Sequence, residues 1–265
     1  MRRLYAGGHR VNTMDTFELS NVTAGPIQVV GMSFYFDPHT VELAGERGLH
    51  RFQFYGLGRG GVLGDVDRDV VDGAFTFFNP AVFEFIWDGA RLKADPVPTA
   101  SAYLQAAYQF ADRTFGAIPT EVLARYAAAA HKVAGAVESG HHLLVDGYLQ
   151  YPVPENAVHA AYLGAILMRE LRGCVHIDAV RSAGLTPLEA CYLQDPNFFK
   201  AHGYKDDDVP AVTAEHEKKK AEAEVITSAL MADCFAVLSD DERQYLCDGA
   251  LAMFDAVRDP VAVTE

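Results

Sequence analysis

The chain lacks most of the features that give a function away. Its four cysteines, Cys174, Cys191, Cys234 and Cys247, contain no C-x-x-C pair. That excludes a zinc knuckle and a disulfide framework and fits a reducing compartment. No apolar run approaches the roughly 20 residues that a membrane span requires. Met1-Arg2-Arg3 is not followed by the apolar segment of a signal peptide. These absences predict a cytoplasmic protein with no membrane partner. Cations are scarce as well: 22 Lys and Arg against 36 Asp and Glu leave a formal net charge of -14. Such a field repels phosphate backbones and disfavours nucleic acid as a partner. The one dense basic run, Lys218 to Lys220, sits among Glu215, Glu217, Glu222 and Glu224, the interleaving of a solvated helix face.

Catalytic motifs are missing too. There is no P-loop, no H-E-x-x-H, no EF-hand and no G-x-S-x-G, which disfavours nucleotide hydrolysis and covalent hydrolysis. Gly56-x-Gly58-x-x-Gly61 matches the letters of a dinucleotide fingerprint, but no acidic partner follows roughly 20 residues on in a second strand. The glycines here fit either a tight crossing of two backbones or a turn that aims Arg59 at an anionic ligand. Strand signals are scarce throughout, so the class is mainly α.

What is present is a succession of helix starts and stops. Residues 1–25 read as a loose arm. The stretch 26–36 reads as a strand or the start of a buried helix. Asp37-Pro38 opens a helix that Gly48 ends. An acid-led helix follows Asp65, and Asn79-Pro80 restarts one that runs to Gly89. Ala94 to Thr99 is the best linker signal, ahead of helices from Ala100 to Phe115 and from Pro119 to Glu138. Thr186-Pro187-Leu188-Glu189 and Ser239-Asp240-Asp241-Glu242 are capping boxes. Pro38 to His50 and Pro119 to His131 share a spacing of twelve, consistent with duplication of a helical unit or with coincidence. The expected architecture is therefore a helical body, 26–193, of two halves (26–93 and 100–193) packed as one bundle. C-terminal helices in 194–265 follow it.

The richest stretch is the long helix between Pro154 and Gly184. Glu155, His159, Tyr162, Ile166 and Glu170 fall on one stripe, with Arg169 and His176 beside it. That stripe is either the wet face of an amphipathic helix or the wall of an internal polar pocket. In the second case His176, His159 and Glu170 are candidates for acid–base chemistry, and Tyr55, Arg59, Tyr162 and Arg172 for binding a ligand. No metal site is assigned: Glu138-x-x-His141 has a metal spacing but straddles Ser139-Gly140 at a helix end, and the central helix offers Glu155-x-x-x-His159 instead. No cofactor is indicated.

Several short motifs together carry a resemblance. Tyr35-Phe36-Asp37-Pro38, Phe54-Tyr55 with Arg59, Val62-Leu63-Gly64, Phe77-Phe78-Asn79-Pro80, Glu170-Leu171-Arg172-Gly173 with His176, and Ala183-Gly184-Leu185 through Glu189-Ala190 resemble a family of largely uncharacterised, mainly actinobacterial helical proteins labelled helix-turn-helix. The resemblance implies a helical body followed by a winged-helix-like C-terminal segment, with no settled activity. This chain departs from that pattern in two places. Asn79 stands where relatives carry His before the Pro, and the segment between Gly203 and Thr213 is too short for a second wing helix and its hairpin. The acids Asp206 to Asp208 there have the wrong sign for a recognition surface. The resulting expectation is a protein that binds a small polar or anionic organic molecule between its halves, with acid–base catalysis and homodimerisation left open. A winged-helix regulator and a non-catalytic interaction subunit are the alternatives.

Overall fold

Helix starts dictate most of the architecture. The structure, a computed structural model, describes residues 14–259, and among these there are thirteen α-helical segments and no strand. The mainly α expectation holds. Helix α1 (Thr16–Met32) begins where the Asp15 carboxylate accepts the Glu18 N–H at 2.8 Å. Residues 14–25 are thus largely helix rather than a loose arm, and residues 1–13 lie outside the described residues. Gly25-Pro26 reads as a break in sequence. Yet Leu19, Thr23, Pro26, Ile27 and Val30 are all buried along one face, and that burial offsets the roughly 3 kcal/mol cost of an internal proline. The strand alternative for 26–36 gives way to the end of this helix and a turn.

Asp37 caps α2 (Pro38–Glu46) through the His39 and Thr40 N–H groups, and Gly48 follows with φ +66°, as its position implies. The glycine-rich stretch is a helix, α3 (Arg51–Gly60), that tightens into a 3-10 turn at Gly61–Leu63. The close-crossing reading of its glycines holds in part: a Cβ on Gly58 would lie 2.5 Å from the Tyr103 ring, and one on Gly61 would overlap the Pro96 carbonyl. Helix α4 spans Arg68–Phe75. The single helix expected from Asn79 to Gly89 is instead a 3-10 turn (Pro80–Val82), a π turn (Glu84–Asp88) and the short α5 (Gly89–Arg91). Helix α6 (Pro96–Phe115) starts inside the expected linker, because Pro at the first helical position needs no N–H partner. Then come α7 (Thr120–Gly135), α8 (Leu143–Leu149), α9 (Ala157–Ser182), α10 (Pro187–Gln194), α11 (Pro196–Ala201), α12 (Ala214–Phe235) and α13 (Asp240–Arg258). The helices behind the twelve-residue echo differ in length, nine residues for α2 and sixteen for α7.

Helix α9 is the axis of the molecule. It packs against α7, α12, α1, α6 and α8, and every residue from Ala160 to Met168 is buried. Over that stretch the helix has no wet face; nearer its C-terminal end Asp178 is partly exposed and Arg181 and Ser182 are exposed. One apolar core runs from Leu19 on α1 to Met253 on α13 and includes residues of both expected halves. A satellite of Val180, Ala183, Leu185 and Ala223 sits where α9 ends beneath α12.

Candidate functional site

On α3, Tyr55 and Arg59 are four residues apart and share a face. That face meets α9 at Glu170, which is 1% exposed, while Arg59 is 6% exposed. The Arg59 guanidinium forks onto the carboxylate: Nε donates to Oε1 at 2.8 Å and Nη2 to Oε2 at 2.6 Å, the bidentate geometry that makes such pairs strong. Nη1 of Arg59 donates to the Tyr55 hydroxyl at 3.1 Å, and the guanidinium lies 4.2 Å from the centre of the Phe75 ring. A second cation joins. Arg169 Nη1 donates to Glu170 Oε1 at 3.0 Å, and the Tyr35 hydroxyl approaches the same oxygen at 3.4 Å.

Burial alone would raise the Glu170 carboxyl. The charges of Arg59 and Arg169, with their hydrogen bonds, override that and hold it at about 2. Burial pushes the Tyr35 hydroxyl well above its ordinary value. The network therefore contains two guanidiniums, one carboxylate and neutral phenols, and carries one net positive charge. Nε of Arg169 is buried with no partner.

This network lines one part of a cavity of about 470 Å³. Phe36, Phe52, Phe75, Phe77, Phe78 and Phe198 line its apolar wall, together with Met32, Leu144 and Ile177. Arg172, His176, His202 and Glu224 line it as well, with Arg172 Nη2 donating to Glu224 Oε2 at 3.1 Å. Helices α10 and α11 close one side through Cys191, Gln194 and Phe198. Two glycines in mid-helix, Gly25 on α1 and Gly173 on α9, also border the cavity, and a Cβ on either would meet nothing within 4 Å.

Hydrogen bonding fixes the two histidines. The Thr227 hydroxyl donates to the Ala223 carbonyl at 2.7 Å, so at 2.9 Å from the same oxygen His176 Nδ1 must be the donor. Nε2 then carries the lone pair, 4.0 Å from Glu224 Oε1. His202 Nδ1 lies 2.7 Å from the Phe198 carbonyl, which can only accept, so its Nε2 also bears a lone pair. Burial lowers both imidazoles below their usual range, His202 to about 4. At neutral pH both rings are uncharged acceptors.

Of the residues singled out in the sequence, Tyr55, Arg59, Glu170, Arg172 and His176 border this one cavity. His159 and Tyr162 do not. Nε2 of His159 is 2.9 Å from Asp112 Oδ1, and its ring stacks on Tyr108 at 4.7 Å. Tyr162 is fully buried, its hydroxyl donating to the Val30 carbonyl at 3.2 Å. Both share a stripe with Glu170, but eleven and eight residues of helix rise place them roughly 16 and 12 Å away along the axis. Tyr35, Arg169, His202 and Glu224 line the cavity without having been given a role. Arg169 had a sequence signal, since it adjoins Glu170. His202 had none, because its segment reads as loop.

A model described as a helix-turn-helix family matches residues 23–264. The chain belongs to that helix-turn-helix family. No curated protein and no solved structure matches it. A literal helix-turn-helix is found at α9 and α10, joined through Gly184 at φ +74° and started again by the Thr186 capping box. In this member of the family α10, α11 and α12, which follow that turn, border the cavity. The absence of any strand among the described residues leaves the winged-helix hairpin unformed there, in line with the shortened segment after Gly203.

Proposed function

We propose that this chain is a cytoplasmic binder of small organic anions with an apolar, largely flat body, held between α1, α3, α9 and α10–α11. The observation that carries the reading is the unequal count of charges in a dry place: two guanidiniums share one carboxylate, and Arg169 keeps a buried N–H without an acceptor. The rest of the Arg169 side chain is 15% exposed and lines the cavity, where a carboxylate or similar anion would neutralise the excess charge. The phenylalanine wall suits an aromatic or aliphatic body, and about 470 Å³ falls in the range of small-molecule sites. Gly25 and Gly173 support the reading from the other side. Each forgoes about 1 kcal/mol of helix propensity relative to Ala at a place where nothing packs against it, which leaves room in the cavity. The Nε2 lone pairs of His176 and His202 favour ligands that also carry an O–H or N–H. If a reaction follows binding, His176 is the base, uncharged at neutral pH and bordering the cavity. Four free cysteines support the reducing compartment, and no helix among the described residues is long and apolar enough to cross a membrane.

The test is a panel of aryl and alkyl carboxylates beside their primary amides, followed by thermal shift and calorimetry. At least one acid should stabilise the protein and exceed its amide by about tenfold in affinity, as loss of a charged partner implies. Arg169→Gln should remove that preference. Gly173→Leu should abolish binding while leaving helicity unchanged. A panel in which no acid binds, or binding indifferent to both substitutions, rejects the proposal. The family relationship favours a second reading, a regulator for which the bound anion is the effector. Its signature is duplex binding that weakens steeply with salt. Against it stand the net charge of -14 and the acids at Asp206 to Asp208.

A further inference from the structure

Beside the cavity, but not part of it, two consecutive histidines meet a carboxylate from another element. Helix α7 ends at Gly135, and the chain turns through Gly140 at φ +89°. The Gly140 N–H is held by Asp146 Oδ2 at 2.6 Å, which ties the turn to the helix that follows it. His141 and His142 then project toward α9, their ring centres 4.6 Å apart and their planes at 68°. Asp178, near the C-terminal end of α9, completes the group: one donor atom from each of the three residues lies within 4.8 Å of the other two.

From this arrangement we propose that His141, His142 and Asp178 form a binding site for a single borderline divalent cation of the Zn²⁺ type. The distances fit. With metal–nitrogen and metal–oxygen bonds of about 2.0–2.1 Å, two donors of a tetrahedral site sit roughly 3.3 Å apart. His141 Nε2 and Asp178 Oδ2 already stand at 3.2 Å. The third donor needs to close by no more than about 1.5 Å, which a small χ rotation supplies. His142 is 7% exposed, whereas the side chains of His141 and Asp178 are 65% and 39% exposed. The metal therefore has one buried ligand, two more exposed ones that can adjust, and a fourth position open to water on the solvent side. The donor types decide the class of ion. Two imidazoles and one carboxylate suit Zn²⁺, Co²⁺ or Ni²⁺, while Mg²⁺ and Ca²⁺ demand mostly oxygen ligands.

The ion would staple the α7–α8 connection to α9. Ile177 and Leu144, one and two residues from the ligands, line the cavity, so the staple would hold two of its walls together. The site stands on its own observation and survives rejection of the anion-binding proposal.

The experiment uses the untagged full-length chain, freed of metal by chelation, and titrates it with Zn²⁺ by calorimetry and with Co²⁺ by visible absorption. One equivalent should bind saturably, and Co²⁺ should develop the intense visible bands of a four-coordinate site. Removing an outer-shell partner of a metal ligand typically costs about 10–100-fold in affinity, so losing a ligand should cost at least that. His141→Ala and Asp178→Asn are the decisive variants, because both residues are exposed enough for the fold to tolerate them. His142→Ala is secondary, being buried. A large excess of Mg²⁺ should not compete. Absence of saturable Zn²⁺ binding overturns the proposal, as does unchanged affinity in both exposed variants. Displacement by Mg²⁺ overturns the assignment of the ion's class.

Discussion

Glu170 is the residue on which the interior electrostatics turn. Replacing it with Gln leaves Arg59 and Arg169 buried beside each other without a counter-charge, and breaking a buried pair in this way costs about 3–5 kcal/mol. Urea unfolding at neutral pH should show a loss of that size. A loss under 1 kcal/mol would mean that water reaches the network and screens it. The pH dependence has a definite sign. The carboxyl drops from its ordinary 4.5 to about 2 on folding, so its stabilisation is fully present above pH 4.5 and fades as pH falls toward 2. The gap between wild type and Glu170→Gln should narrow over that window and stay constant above it. His159 supplies the contrast at this scale: paired with Asp112 near the surface, His159→Ala should cost no more than about 1 kcal/mol and leave binding of any cavity ligand unchanged. Sequence periodicity placed Glu170 and His159 together because it gives the angle around a helix axis, and it is silent on distance along that axis. Arg59 and Glu170 were legible as members of one site, a cation held among glycines and a carboxylate on the polar stripe of the long helix, but their bonding to each other was not.

At the scale of single helices, the boundaries that were legible are those with local chemistry behind them. Asp37-Pro38, Thr186-Pro187, Ser239 with Glu242, and the left-handed glycines Gly48 and Gly184 all mark ends where the sequence places them. The elements that were not legible are those held by packing against intrinsic preference. Helix α1 carries a proline, α3 carries four glycines counting its own last residue and the one after it, and α8 is only seven residues long. Helix α3 makes the point measurable. Ala is the better helix former by about 1 kcal/mol, yet at Gly58 its methyl would strike the Tyr103 ring at 2.5 Å. Gly58→Ala should therefore destabilise by about 1–3 kcal/mol despite the propensity gain. Gly73→Ala on the exposed side of α4 meets nothing within 4 Å and should be neutral or stabilise by up to about 1 kcal/mol. Paired denaturation curves check both. If Gly58→Ala stabilises as Gly73→Ala does, close approach is not what holds α3 in place.

For the molecule as a whole, the question is whether the C-terminal helices are a module or part of the body. The sequence divides the chain into a body, 26–193, and C-terminal helices, 194–265. Packing gives another answer, because α12 and α13 both lie on α1, α12 also lies on α9, and α13 lies on α7. Residues Met231, Phe235, Leu246 and Met253 belong to the same core as Phe34 and Tyr103. Glu224 of α12 borders the same cavity as Arg59 of α3. A core shared in this way has no seam along which part of the chain could melt first, so unfolding should be a single cooperative transition. The sequence supplies the reporter for this, because its one tryptophan, Trp87, is fully buried among the N-terminal elements, while circular dichroism at helical wavelengths averages over every helix to α13. Fluorescence and circular dichroism should trace the same curve in urea, with one midpoint and one slope. Were helicity to fall in a separate step while Trp87 stayed buried, the C-terminal helices would be a detachable unit. The cavity that they help to close would then open before the rest of the protein unfolds.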